Sequence, residues 1–470
     1  MNRSGYTRCL GLTLLYFLPA SGCELPHAPS GVSVQSAACT WEDKTSCQQT
    51  GGSPAENHGL VLFAQDVDPF DKVDELSADL VVQLVLARNP TLAEMTAAWQ
   101  AASARYPQAT SLEDPMFGTT LAPASIGSND VEFGFRVEIA QKYPFPGKRD
   151  LRGQSALAEA SAAGHDVDDV RLQLIESAKD GFYEYFLVHR ALSVNKEALD
   201  LLKKFREIAQ DRYENKAPGA VQQDIIQAEV EIGRQQQRTL TLERMRKVAA
   251  ARLNTLMHRP PESALPPPPQ QLAPADGLPL VESLRSQAVA QRPDLRALED
   301  RIRAEQAALE LARQEFYPDF EAMAAYDTIM GNGPTRDLAG QIGLRINLPV
   351  RKERRYGALA EAQARVAQRQ AELSKQTDQV NLQVQEAYEQ VRESEKTVQL
   401  YEKTILPAAR KNIEAARSAY EAGKIPFLSL VEAQRSFVEL QDRSYEAVAD
   451  YFRRRAVLER MIGGPVVPSK

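Results

Sequence analysis

The chain has 470 residues, 43% hydrophobic, 25% charged and 7% aromatic, with a net charge of −7; at roughly 150 residues per domain that length predicts about three domains, and the near-average composition excludes collagen-like, mucin-like and wholly disordered chains. The acidic balance argues against nucleic acid, whose phosphates call for a basic face. Mean hydropathy is −0.39 and no apolar run reaches the ~18 residues of a spanning helix, which reads as a soluble protein, although a β-barrel strand escapes such a count.

The N-terminus reads as an address. Arg3 and Arg8 precede the apolar run Cys9 to Leu18, and small residues close it, as in a secretory signal over residues 1–22. Ala20-Ser21-Gly22-Cys23 resembles a bacterial lipobox with Cys23 as the lipid attachment point, although leucine is usual where Ala20 stands. An ordinary signal with an incidental cysteine is the alternative. Glu24 follows in place of Asp, and by resemblance to lipoprotein sorting this favours the outer membrane. Residues 23–70, rich in Gly, Ser and Pro, predict a flexible lipid-anchored segment in which export permits a disulfide between Cys39 and Cys47.

Two halves follow, residues 71–259 and 280–462, in one internal order. The first predicts a helix over about Val73 to Tyr106 with a break near Pro90, a weak strand over Met116 to Leu121, a loop to Asp130 and a strand over Val131 to Ile139. In that strand Val131, Phe133, Phe135, Val137 and Ile139 alternate with Glu132, Gly134, Arg136 and Glu138, so apolar and polar side chains take opposite faces. Leu151 to Tyr213 holds no proline and would reach about 95 Å as one helix. The break Lys216-Ala217-Pro218-Gly219-Ala220 then folds it back on a second helix, glycine supplying a left-handed turn and proline ending the helix.

Residues 260–279, with Pro266 to Pro269 at their centre, are a linker, because proline lacks a donor and favours extended chain. The second half predicts a helix over about Leu280 to Glu315 and strands over Asp319 to Thr328 and Leu338 to Leu348, the latter alternating. A long helical stretch with a kink or junction at Pro407, the break Ala422-Gly423-Lys424-Ile425-Pro426, a last helix and a tail, 463–470, complete it.

The halves are a tandem duplication. Pro90 and Pro293, Pro115 and Pro318, and Pro146 and Pro349 each lie 203 residues apart; Tyr183 and Tyr388, then Tyr213 and Tyr420, continue the register at slightly larger offsets. Heptad spacing marks helix seams at Ile175, Ala178, Phe182, Tyr185, His189, Leu192 and Leu199. The second half has one at Val380, Val384, Ala387, Val391, Ser394 and Val398, and another at Leu430, Ala433, Phe437, Leu440, Ser444, Ala447 and Tyr451. Four strands make no closed barrel, and lipid does not tolerate an open edge. If the strands span a membrane, several copies must combine.

This order of helix, two strands and helix hairpin, given twice, resembles the TolC family of outer-membrane efflux proteins over about Val73 to Ile462. Val137-Glu138-Ile139 leading into Tyr143-Pro144-Phe145-Pro146-Gly147-Lys148-Arg149 is similar to the family's strand exit into its first long helix. Ile405-Leu406-Pro407-Ala408, Tyr420-Glu421-Ala422-Gly423-Lys424 and Leu430-Val431-Glu432-Ala433-Gln434 are similar to its second-hairpin signature. Tyr213, Gly219 and Asp224-Ile225-Ile226-Gln227-Ala228-Glu229 form a looser first copy. The resemblance implies a mainly α fold with a small β-barrel contribution. In a homotrimer, four strands per chain close a barrel in the outer membrane of a Gram-negative bacterium, above a long helical tunnel in the periplasm. A periplasmic adaptor and an inner-membrane pump of the RND type are the implied partners. Pro144 to Arg149 looks most like the heavy-metal branch, with CusC and CzcC; drug efflux and type I secretion channels share the architecture.

The residues suit a passive conduit with no cofactor and no enzyme activity. Gly147-Lys148 lacks the upstream glycine of a Walker A loop, and no G-x-S-x-G or H-E-x-x-H is present. His27, His58, His165, His189 and His258 are scattered without metal-ligand spacing, and His189 reads as seam packing. Two candidate sites remain. The hairpin tips Ala217, Pro218, Gly219, Ala220 and Val221, and Gly423, Lys424, Ile425, Pro426 and Phe427, would meet the adaptor, or are simply good turn residues. Asp211, Glu214, Asp224, Glu421 and Glu432 would ring a tunnel mouth, where carboxylates favour cations, or lie on an outward solvated face. A periplasmic coiled-coil scaffold or adaptor lipoprotein is the alternative reading of the whole chain.

Overall fold

Prolines and capping residues decide where each helix stops. The computed structural model describes residue 70 and residues 73–122, 133–217, 219–274, 277–330 and 340–466. Its first half runs α1 (Ala78–Arg88), α2 (Pro90–Ser103), α3 (Arg105–Thr110), β1 (Met116–Ala122), β2 (Phe133–Tyr143), α4 (Lys148–Glu214) and α5 (Gln222–Leu256). The second runs α6 (Val281–Gln291), α7 (Pro293–Gln314), β3 (Phe320–Met330), β4 (Gln341–Ile346) and α8 (Lys352–Leu400). A π-helical turn (Tyr401–Ile405), α9 (Leu406–Glu421) and α10 (Phe427–Met461) complete it. The signal segment, Cys23, Cys39, Cys47, Val131, Pro218 and Leu338 lie outside the described residues.

Asn89 ends α1 and caps α2, its side chain accepting the Thr91 N–H at 2.9 Å, with Pro90 opening the helix. Arg292 takes the same place before Pro293, and the two residues share extended angles, φ −68° and ψ 124° against φ −61° and ψ 126°. The single helix expected over Leu280 to Glu315 is therefore two, because the residue before a proline is pushed out of the helical region. At Pro407 the junction takes the form of the π-helical turn just before it. One wider turn accommodates a residue that cannot donate to the carbonyl four positions back.

α4 pairs with α5 and α9 with α10 as hairpins; α10 packs along both α4 and α8, and α7 lies between α4 and α8. The expected seam of α8 is the observed one: Val380, Val384, Ala387, Val391, Ser394 and Val398 are its buried residues. On α10, Leu430, Ala433, Ser444, Ala447 and Tyr451 are buried while Phe437 and Leu440 are half-buried. The α4 seam departs from expectation after Tyr185. Burial moves to Val188, Asn195, Leu202 and Ala209 and to Ala198 and Phe205, leaving His189, Leu192 and Leu199 half-buried. A heptad stripe suits one partner, whereas α4 is held by α5, α7 and α10.

The linker has neither helix nor strand among its described residues, but it is tied down. The Leu76 N–H donates to Pro267 O, and Asn254 Nδ2 donates to Pro261 O and Ser263 O. The strands form one antiparallel sheet in the order β1-β2-β3-β4, so the β2–β3 pairing joins the halves. β2 and β3 have 11 residues each, against 7 for β1 and 6 for β4.

Candidate functional site: a two-faced sheet above paired hairpin tips

Directly opposed residues of an antiparallel sheet share a face. Phe117, Ile139, Ala324 and Ile342 form one cross-strand row; Gln141, Ala322 and Leu344, then Tyr143, Phe320 and Ile346, form two more on the same face. Val137 and Tyr326 are opposed there as well. No helix packs along the described sheet, and the apolar face stays open: Phe117 is 70% exposed, Leu344 65% and Ile342 94%. The opposite face carries the rows Lys142, Glu321 and Arg345, and Gly118, Glu138, Ala325 and Gln341. Ion pairs hold it, Arg345 to Glu321 at 2.9 Å and Arg136 to Glu138 at 3.2 Å. A half-buried strand of a soluble sheet would have its apolar face covered by the core; this one has not.

Beneath the sheet, three connections meet at one carboxylate. Gly147, at φ +93°, turns the β2 exit into α4, and a Cβ there would stand 2.9 Å from Gln314 Nε2. Lys148, 1% exposed, then points its ammonium at Asp319 Oδ1, 2.8 Å away, and at Tyr317 O, 3.2 Å away. The Phe145 N–H donates to the same carboxylate, while the Asp319 N–H donates to Asn347 Oδ1. Phe145 and Tyr317 stack at 4.7 Å. Burial pushes the Asp319 carboxyl up, but the hydrogen bonds from Lys148 and the Phe145 amide outweigh it and hold it below the usual carboxylate range. The sequence offered both residues but nothing that paired them, since they are 171 positions apart.

At the far end the hairpins turn. The expected helix-ending role of Gly219 belongs to Lys216: it sits at φ 47°, and the Ala217 N–H reaches back to Arg212 O at 2.9 Å. Gly219 follows at φ 76° within the same loop. In the second tip Gly423, at φ 73°, has that role, with the Lys424 N–H donating to Ala419 O at 2.9 Å. Ala217, Ala220 and Ile425 are half-buried; Gly219, Val221, Gly423, Lys424 and Pro426 are exposed.

Phe427 is not a surface residue of the tip. It is 1% exposed and packs edge-on to Tyr420 at 5.3 Å, in a cluster with Leu202, Phe205, Ala228 and Leu430 that binds the hairpins together.

Of the five acids, Asp211, Glu214, Glu421 and Glu432 are exposed, Glu421 beside Arg417 at 2.9 Å. Asp224 is a correction: it is buried and accepts the Tyr420 hydroxyl proton at 3.0 Å, a bond between hairpins. Burial, then the neighbouring Asp224 charge, raises the Tyr420 phenol to about 12. Arg212 lies over the same ring at 4.6 Å. Lower on α5, Glu231 is buried and pairs with Arg435 of α10. The sequence reading missed Ile226 and Val230, apolar residues one turn apart that stay exposed on α5; their helical spacing was the available signal.

His189 is half-buried and meets Tyr185 edge-on at 4.5 Å. Among the described residues no three His, Cys, Asp or Glu side chains converge on a metal position, and no helix is long and apolar enough to cross a membrane.

A sequence model of the family described as outer membrane efflux protein matches residues 284–464. No curated protein matches the sequence. Among solved structures, the outer-membrane channel OprN superposes with a TM-score of 0.71 at 17% identity, over 85% of this chain and 94% of that one. CusC gives 0.71 at 16% identity, over 83% and 92%. The outer membrane protein VceC of Vibrio cholerae gives 0.69 at 19% identity, over 83% and 97%. The chain shares their fold, mainly helical with a small antiparallel sheet.

Proposed function

We propose that the chain is the outer-membrane channel of a tripartite efflux system, a passive conduit built from three copies. The observation that carries this reading is the sheet: one face is apolar and uncovered, the other is charged, and both edges are open. Water would not leave such a face bare, and lipid would not leave such edges unpaired. Copies placed side by side satisfy both demands, the apolar face against lipid and the charged face around a lumen. The match of residues 284–464 to outer membrane efflux proteins supports it.

In this reading the long hairpins stand in the periplasm and Cys23 carries the lipid. An RND-type pump supplies the energy, and an adaptor meets the exposed tip residues Gly219, Val221, Gly423, Lys424 and Pro426. Heavy-metal cations are the proposed cargo, on the strength of the phrase Pro144 to Arg149.

Planar-bilayer recording of detergent-extracted protein tests the channel. Trimers with steady ion conductance are expected; a monomer released by washing, without conductance, would replace the channel with a periplasmic scaffold. Deleting the gene and measuring metal and drug sensitivity tests the cargo, and unchanged metal tolerance with new drug sensitivity would overturn the metal assignment.

A further inference from the structure

The fold is duplicated, yet among the described residues the junction clamp occurs once. Lys148 is the first residue of α4 and is held by Asp319 and Tyr317 O, in the connection from α7 to β3. Arg351, which the 203-residue register sets opposite Lys148, caps the start of α8, whose first residue is Lys352. Arg351, Lys352 and Arg354 around it are exposed, and none makes an ion pair among the described residues.

The repeat says where a partner would stand. The register that pairs Pro115 with Pro318 carries Asp319 onto Met116, which has no charge, but carries Tyr317, whose carbonyl also accepts from Lys148, onto Asp114, and Phe316 onto Glu113. Glu113 and Asp114 lie exposed in the connection from α3 to β1. Glu113 approaches Lys142 at 3.5 Å with both side chains more than half exposed, and Asp114 has no ion pair among the described residues. Lys352 follows β4 and Asp114 precedes β1, the two opposite edges of the sheet. Inside the chain, the end of β2 at Tyr143 lies beside the start of β3 at Phe320, which brings Lys148 to Asp319. Setting β4 of one copy beside β1 of the next in that register would bring Arg351 to Asp114, as Lys148 is brought to Tyr317.

We propose that a second copy of this chain docks its Glu113–Asp114 turn against the Arg351, Lys352 and Arg354 cluster of its neighbour, a between-copy contact at the place where Lys148 meets the Tyr317 connection inside the chain. The proposal rests on the reading of the chain as a multi-copy barrel. Opposite charges there set which edges meet and in what register. Each pair on its own adds little in water, whereas like charges forced together at a closing seam repel strongly.

The test uses the full chain in detergent and reads the fraction of oligomer surviving a fixed heating step. Arg351→Glu with Lys352→Glu, or Asp114→Lys with Glu113→Lys, should each lower that fraction on the order of tenfold, and the combined swap should restore most of it. Asp114→Cys with Arg351→Cys should give oxidised, covalently closed oligomers, and neither single cysteine should. Unchanged oligomers in the charge variants, or a swap without rescue together with no cross-link, would overturn the proposal. So would a loss seen only in vesicles of anionic phospholipid and untouched by Asp114→Lys, which would assign the basic cluster to lipid headgroups. A wild-type chain that forms no oligomer defeats the channel reading as well, before any variant is compared.

Discussion

Four helix ends show how one backbone motif is built from different residues. α4, α5, α9 and α10 all stop with a left-handed residue, namely Lys216, His258, Gly423 and Gly463. In each the next N–H reaches back five positions, from Ala217 to Arg212 O, Arg259 to Asn254 O, Lys424 to Ala419 O and Gly464 to Glu459 O. The second half uses glycine twice and the first half never does. A side chain at positive φ costs about 1 kcal/mol that glycine does not, so Lys216→Gly should stabilise the first tip by roughly 0.5–1 kcal/mol, read as slower amide exchange around residues 211–217. Faster exchange there would mean that the lysine side chain holds the turn. A second residue-scale effect is acid sensitivity. Burial, then the nearby Arg246 and Arg190, lower the His189 imidazole to about 4, against about 6.5 unfolded. The unfolded chain therefore binds the extra proton first. Stability is full above pH 6.5 and falls as the pH drops towards 4. His189→Gln should remove about 1–2 kcal/mol of that acid-side loss, after allowance for solvent screening. Urea titrations at pH 7.5 and 4.5 would show it, and an unchanged difference between the two would refute it.

At the scale of elements, the two hairpins are joined near their tips by a bond that neither helix announces. Tyr420 of α9 donates to buried Asp224 of α5, and Arg212 of α4 covers the ring. Tyr420→Phe leaves a buried carboxylate without that donor, at a cost of about 1–3 kcal/mol. Amide exchange should quicken in both tips while the sheet is untouched; a change confined to one hairpin would mean the bond does not couple them. How much of this was legible depends on whether an element's partners gather along one stripe of it. The α8 seam from Val380 to Val398 could be read because α6, α7 and α10 together bury a single stripe of it. The strands could be read because a period of two survives any partner. The α4 seam blurred where α5, α7 and α10 all reach it. Asp224 looked like a surface acid because its partner lies 196 residues away, and the Lys148–Asp319 clamp was hidden for the same reason. Local patterns record local geometry, and long-range polar pairs leave no period behind.

At the scale of the whole molecule, an acidic and mostly wet chain carries one small apolar face. In the proposed assembly, duplication would make this workable, since β2–β3 pairing inside the chain offers a template for β4–β1 pairing between copies. In that assembly any side chain near the tips would recur around a common axis, and single charges would become rings. Asp211, Glu214, Glu421 and Glu432 remain exposed there once Asp224 is withdrawn into the bundle. A ring of carboxylates concentrates cations at a pore mouth, which suits the proposed cargo. Glu421 contributes least, because Arg417 stands beside it at 2.9 Å. Replacing the four acids with Asn and Gln should lower the cation-to-anion permeability ratio by about twofold or more, moving the reversal potential in a salt gradient towards zero. Single-channel conductance at high salt should change less, because screening there already weakens the ring. A reversal potential unmoved by all four substitutions would place these acids on the outer, solvated face of the hairpins, and cation preference would then have to come from the charged face of the sheet, where Glu138 and Glu321 stand among Arg136, Lys142 and Arg345.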